Sequence, residues 1–369
     1  MTTVPAFANC HSHAFHRALR GRVTGADSFW SWRDQMYSLA GVLDPDLLFE
    51  LARATYAEMN LAGIRSVGEF HYVHHQSNGK PYDEPNAMGE ALIAAAREAD
   101  IRITLLDTCY LAAGFGKALE GVQRRFADGD ADAWAARVES LAGKHADDDD
   151  VVIGAAIHSV RAVPRDQLAT VAAALPDAPL HAHVSEQPAE NVECIAATGL
   201  TPVALLAEAG AWTPRTTAVH ATHLTTDDMA TLGTAHSYVC FCPTTEAELA
   251  DGIGPSVALR DAGARLTLGS DSNTVIDMFA EARAVEMHER LSTGVRGAWT
   301  ADQLWLAATT TGHESLGFVV PDTIDIADTI RTAGADELLW SATAADVEGD
   351  PTDIAELLES AIDACWSRV

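Results

Sequence analysis

The residues best suited to chemistry in this chain are histidines and carboxylates that fall at the ends of short apolar runs. His11-Ser12-His13 closes the first run, and residues two apart on a strand share a face, so both imidazoles can converge on one ion. His183 ends a later run, His220 the next, and Asp271, in Gly269-Ser270-Asp271-Ser272, follows the last. Any one of these alone reads as an ordinary core or loop residue. Together, His11, His13, His183 and Asp271 make a ligand set for one zinc ion per chain, with Fe2+ or another divalent ion chemically admissible. Such an ion lowers the pKa of bound water to about 7 and so provides a nucleophile at neutral pH.

Hydrolysis at a C=N carbon needs a second function, because the nitrogen must be protonated before ammonia can leave. Glu186, three residues beyond His183, is placed to supply that proton. Asp271 can bind the ion and accept the water proton, whereas His220 can either bind the ion or hydrogen-bond the water. Arg161, in Ile157-His158-Ser159-Val160-Arg161, offers a planar bidentate grip on a carboxylate, as does Arg33 in the aromatic stretch Phe29-Trp30-Ser31-Trp32-Arg33. Tyr72 can add a hydroxyl donor. His74 and His75 read as solvent-exposed or structural, and His223 and His313 as structural.

These residues need a scaffold that gathers strand ends. Eight β-type runs recur: Val4–Cys10, Ile64–Phe70, Ile101–Cys109, Val151–Ile157, Leu180–Val184, Thr216–His220, Ser237–Cys242 and Arg265–Leu268. Between them lie stretches with helical spacing of apolar residues, including 46–62, 87–100, 131–144, 165–174 and 277–291. Apolar strands without a polar face, alternating with helices, predict a parallel sheet covered by helices. An open sheet collects its site at one switch point, whereas here nearly every strand end carries a polar candidate, so a closed (β/α)8 barrel is expected. Its catalytic domain spans residues 1–316. Residues 317–369 hold short apolar runs (Phe318–Val320, Leu338–Trp340) and a terminal amphipathic helix, Pro351–Trp366.

Composition narrows the partners. Lys plus Arg number 24 against 53 Asp plus Glu, a formal net charge of -29, which excludes the basic footprint that nucleic acid requires. The same field repels anions, so an acidic substrate would need dedicated arginines. Six cysteines without framework spacing point to reduced thiols in a cytoplasm, and no apolar run is long enough to span a membrane.

Several blocks resemble the signature of formimidoylglutamate deiminases in the amidohydrolase superfamily. They are Asn9-Cys10-His11-Ser12-His13-Ala14-Phe15, Ser28-Phe29-Trp30-Ser31-Trp32-Arg33, Glu69-Phe70-His71-Tyr72, His158-Ser159-Val160-Arg161, His181-Ala182-His183-Val184-Ser185-Glu186-Gln187, Val219-His220-Ala221-Thr222-His223, Cys242-Pro243-Thr244-Thr245-Glu246 and Gly269-Ser270-Asp271-Ser272. The resemblance implies conversion of N-formimino-L-glutamate and water to N-formyl-L-glutamate and ammonia in histidine breakdown, by a homodimer. It implies zinc on His11, His13, His183 and Asp271, proton transfer by Glu186, and His220 beside the attacking water. It also implies that Arg33, Tyr72, His158 and Arg161 hold the substrate's carboxylates. Where the family pattern has Gln, this chain has His16, whose imidazole can still donate to a carboxylate. The superfamily packs a small β-sandwich, built from both chain ends, against the barrel; here it is expected to be reduced or missing.

Overall fold

The computed structural model describes residues 2–22, 29–319, 322–327, 335–351 and 353–369, excluding the side chains of Phe29, Trp30, Ser31 and Ala335. Ser28 of the aromatic block and Val320 of the run 318–320 lie outside the described residues. Among the described residues ten strands form in chain order: β1 Thr2–Pro5, β2 Phe7–Ser12, β3 Ile64–His71, β4 Arg102–Cys109, β5 Val151–Ile157, β6 Leu180–Val184, β7 Thr216–His220, β8 Tyr238–Phe241, β9 Arg265–Leu268 and β10 Thr323–Ile326. Strands β2 to β9 pair in parallel and in sequence order. Their side chains are buried almost throughout, as in Val-Val-Ile-Gly-Ala-Ala-Ile of β5, because a parallel sheet wrapped by helices has no wet face.

The sheet closes on itself at its C-terminal edge. His13 N donates to Asp271 O and Asp271 N donates to His11 O, both at 2.9 Å, joining the end of β2 to the turn after β9. Gly269 permits this approach. A Cβ at that position would stand 2.8 Å from the backbone nitrogen and oxygen of His11, a distance no real Cβ tolerates. The eight-stranded barrel expected from the sequence is therefore the fold.

The helices behind the strands start where side chains can satisfy their free N–H groups. Asp130 accepts from Ala133 N at the head of Ala131–Lys144, and Asp44 accepts from Leu47 N at the head of Pro45–Leu61. The expected helix over 165–174 is shorter, Leu168–Ala173, because Pro164 to Gln167 form a turn and the Gln167 side chain instead accepts from Ala131 N. The single run expected over Val4–Cys10 divides at Ala6. Its first part, β1, pairs antiparallel with β10 in a two-stranded sheet, which is the small β-structure that the described chain ends contribute. The terminal helix, Ile354–Trp366, packs on Pro45–Leu61, and Trp366 Nε1 donates to Ala18 O at 2.8 Å. Among the described residues, no helix is long and apolar enough to cross a membrane.

Outside the barrel wall, a buried ion network ties β4 to the helix Ala131–Lys144. Arg137 donates to Asp107 at 2.7 and 2.8 Å and to Asp128 at 2.9 Å, while Trp134 Nε1 donates to Asp107 at 3.0 Å. His74 Nε2 lies 2.9 Å from Thr108 O, and His75 Nε2 lies 3.3 Å from Asp128, so both are structural, as expected. Burial works against the Asp107 charge, but Arg137 outweighs it and holds the pKa at about 2. A depressed carboxylate pKa gives stability that is complete above the ordinary value near 3.8 and fades as pH falls towards about 2. Arg137→Met should therefore lower unfolding stability by about 3–5 kcal/mol, since it leaves two carboxylates buried without their cation. Chemical denaturation at pH 7 checks this; a loss below about 1 kcal/mol would show that the network contributes little.

Candidate active site at the barrel mouth

The ends of β2, β6, β7 and β9 bring four imidazoles and a carboxylate to one point. His11 Nε2 and His13 Nε2 each lie 3.4 Å from Asp271 Oδ1, and His11 Nε2 lies 3.0 Å from His183 Nε2. All four residues are at least nine-tenths buried. Backbone carbonyls set two of the tautomers. His13 Nδ1 bonds Phe70 O at 2.9 Å and His183 Nδ1 bonds His158 O at 3.0 Å. A carbonyl only accepts, so each Nδ1 carries the hydrogen and each Nε2 turns a lone pair inward. Burial, reinforced by neighbouring imidazoles, holds His13 and His183 well below the ordinary histidine pKa, and burial likewise lowers His11. Burial opposes the Asp271 charge, but its bond to His11 and the surrounding imidazoles keep it ionised, far below the usual carboxylate range. Neutral lone pairs facing each other beside a carboxylate are a donor set for a divalent cation, and the residues fit the metal the sequence suggested.

His220 approaches from β7. Glu246 holds it from behind, with Oε1 3.3 Å from Nδ1, and its Nε2 faces Asp271 Oδ2 at 3.9 Å and Glu186 Oε1 at 4.0 Å. Burial disfavours its charge, yet Glu186, Glu246 and Asp271 outweigh burial and hold its pKa well above the ordinary value. His220 also groups with His11 and Asp271 closely enough to share an ion, so both of its sequence-level roles are geometrically available. Glu186 is buried beside it, and burial is the main cause of its raised pKa. A carboxyl whose pKa is raised holds its proton to higher pH than an exposed one and is suited to act as an acid.

The backbone is strained here. His220, Ala221, Ser185, Asp271 and Asn273 all have positive φ, between 46° and 65°. Such residues persist only where the surroundings over-determine them. Asn273 supplies part of that determination by donating to Ser12 Oγ and His13 O, both at 3.0 Å. Glu69 supplies more, accepting from Ser12 Oγ at 2.9 Å and Ala14 N at 2.7 Å.

Above the cluster opens a cavity. It is lined by His13, His16, Arg33, Tyr72, His158, Arg161, His183, Glu186, His220 and Asp271. Every site residue expected from the sequence except His11 lines this space; His11 is fully buried, with Nε2 3.0 Å from His183 Nε2 and 3.4 Å from Asp271 Oδ1. His16 does not stand alone: its Nε2 lies 3.1 Å from Tyr72 Oη, and burial keeps it neutral with a pKa of about 4. His158 is also neutral, at about 3, through burial and the nearby Arg161 charge. Arg161 Nε is buried without a hydrogen-bond partner among the described residues. Arg33 lies over the Tyr37 ring at 5.4 Å. His223 and His313 stay out of the cavity, bonded to Asp251 O and to Ser66 and Ala6 O, as their structural readings required. Sequence reasoning passed over Glu246 and Glu69 as site residues. Both lie in or just past a strand run, but a carboxylate that reaches the site through His220 or Ser12 has no spacing signature.

The amidohydrolase family model matches residues 2–320. A formimidoylglutamate deiminase from Pseudomonas aeruginosa is 37% identical over 333 residues, covering 85% of this chain and 72% of that protein. A 5-methylthioadenosine/S-adenosylhomocysteine deaminase from Teredinibacter turnerae is 26% identical over 326 residues, covering 85% of this chain and 66% of that protein. The crystal structure of an amidohydrolase from Brucella melitensis superposes with a TM-score of 0.91 at 31% identity, covering 99% of this chain and 90% of that one.

The cluster predicts a separable metal phenotype. His13→Ala and His183→Ala should each lose most of the bound divalent metal, at least about tenfold in affinity, while His313→Ala, an equally buried histidine outside the cluster, keeps it. Elemental analysis of folded protein reads this directly; equal retention in all three variants would remove the cluster as the metal site.

Proposed function

The chain belongs to the amidohydrolase family, a hydrolase acting on a C–N bond, and on that premise we propose that it hydrolyses N-formimino-L-glutamate to N-formyl-L-glutamate and ammonia. The observation that carries this reading is that one cavity brings His13, His183 and Asp271, with the buried His11 against them, together with Glu186 and Arg161. We assign zinc, one per subunit, to His11, His13, His183 and Asp271, and place the reaction in cytoplasmic histidine breakdown by a homodimer. When bound, the cation supplies Lewis acidity and an acidified water.

The side chains then divide the work. Asp271, ionised, accepts the proton of the water that attacks the formimino carbon. His220, braced by Glu246, orients that water with Nε2. As the carbon becomes tetrahedral, the C=N electron pair moves to nitrogen, and Glu186 delivers its proton there. The proton on Asp271 then passes to that nitrogen, the C–N bond breaks with its electron pair leaving on ammonia, and the hydroxyl's O–H pair restores C=O while its proton returns to Glu186. Arg161, Arg33, Tyr72, His158 and His16 hold the two carboxylates. His16 serves through its paired Tyr72, which leaves one imidazole nitrogen for substrate.

A ring deaminase is the competing reading, and the aromatic wall with Trp32, Tyr72, Tyr110 and Phe126 favours it. Two cavity arginines in a chain of net charge -29 favour the diacid. An ammonia-release panel decides between them. Turnover of N-formimino-L-glutamate, with adenosine and guanine inert, is expected; the reverse pattern would refute the proposal. Glu186→Gln should retain metal and lower kcat by about 10²–10⁴-fold. Arg161→Met should act chiefly on KM. Equal loss of metal in both variants would contradict these roles.

A further inference from the structure

Beyond the metal-ligand cluster, part of the cavity wall is built from phenols, and one amide sets the direction of their hydrogens. Gln123 lies in the 3-10 helix Gly121–Arg125, in the loop that follows β4. Its Oε1 accepts from the backbone N–H of Glu120 at 3.0 Å, which fixes the orientation of the amide. Nε2 is thereby turned to the cavity, where it donates to both Tyr37 Oη and Tyr110 Oη at 3.1 Å. An amide nitrogen offers no lone pair, so neither phenol can spend its own hydrogen on Gln123. Burial, together with the neighbouring Tyr37, pushes the Tyr110 pKa up, so its hydrogen stays in place. Neither phenol hydrogen is spent on the amide, which leaves them for a ligand.

The placement suits an anion. The Tyr110 ring lies 4.6 Å from that of His158, which lies 5.4 Å from His183, so the pair stands two rings away from the ligand cluster. Arg33 lies over the Tyr37 ring, and the Arg161 charge acts on Tyr110. Among the described lining residues the carboxylates are Glu186 and Asp271, both at the metal end. The phenol end therefore presents only neutral donors and cations, in a protein that is elsewhere strongly acidic.

We propose that Gln123 is a positioning residue for substrate selection: it aims the Tyr37–Tyr110 pair at the carboxylate remote from the reacting carbon and so favours a diacid. This rests on the reading of the substrate as an iminated dicarboxylic amino acid, and it assigns the far end of that substrate to named side chains. An apolar residue at position 123 would leave the phenol hydrogens free to rotate. A glutamate there would accept from the phenols, reverse both hydrogens and add a negative charge.

Gln123→Glu is nearly isosteric and gives the test. With N-formimino-L-glutamate, KM should rise at least about tenfold while kcat changes less than about threefold; with N-formimino-L-norvaline, which lacks the second carboxylate, KM should stay level. Glutarate binding to the metal-loaded protein, measured by calorimetry, should weaken by a similar factor. If Gln123→Glu does not fold, Tyr37→Phe, which removes only a hydroxyl, is expected to shift KM in the same selective way. Equal KM changes for both substrates, or none, would overturn the inference. Wild-type protein that binds glutarate through Gln123 but releases no ammonia from N-formimino-L-glutamate would refute the deiminase reading and uphold this one.

Discussion

The mouth of this barrel depends on one junction, the pair of backbone hydrogen bonds that joins the end of β2 to the turn after β9. Asp271 N bonds His11 O, and His13 N bonds Asp271 O. The residues that close the cylinder are also those whose side chains form the cluster, so the ligand geometry is inherited from the fold and needs no loop to order it. Gly269 makes the approach possible, and the Asn273 and Glu69 contacts fix the strand end from either side.

The local cost of this arrangement is visible in the positive φ values at Ser185, His220, Ala221, Asp271 and Asn273. All of them follow or end strands at the chemical face, and the opposite end of the barrel is fastened by ordinary packing, such as His313 bridging Ser66 and Ala6 O. Rigidity of this kind suits acid–base chemistry. Asp271 and Glu186 are two carboxyls near the same imidazole, yet their environments move their pKa values apart: imidazole neighbours lower one and burial raises the other. The base and the acid are thus told apart by surroundings and not by residue type.

Much of this was legible in the sequence, for a physical reason. Strands buried on both faces must be continuous apolar runs, so β5, β6, β7 and β9 could be bounded to the residue. Polar residues just past such runs must emerge at one rim, which is how His11, His13, His183 and Asp271 were found. What stayed hidden depended on partners distant in the chain. Thr2–Pro5 leaves the first barrel strand because β10 lies some 320 residues on, and no local pattern encodes that pairing. Glu246 and Gln123 carry no spacing signature, and their roles emerge only where the fold sets them against His220 and against Tyr37 and Tyr110. His16 was legible as a departure able to donate to a carboxylate, but its pairing with Tyr72 was not, since Tyr72 arrives from a different strand end.

X-ray absorption at the zinc edge of protein loaded with one equivalent of the metal addresses the central claim most directly. The account predicts nitrogen and oxygen neighbours at about 2.0–2.2 Å with the outer scattering of imidazole rings. Sulfur neighbours at about 2.3 Å would place the metal on cysteines such as Cys240 and Cys242 and contradict it.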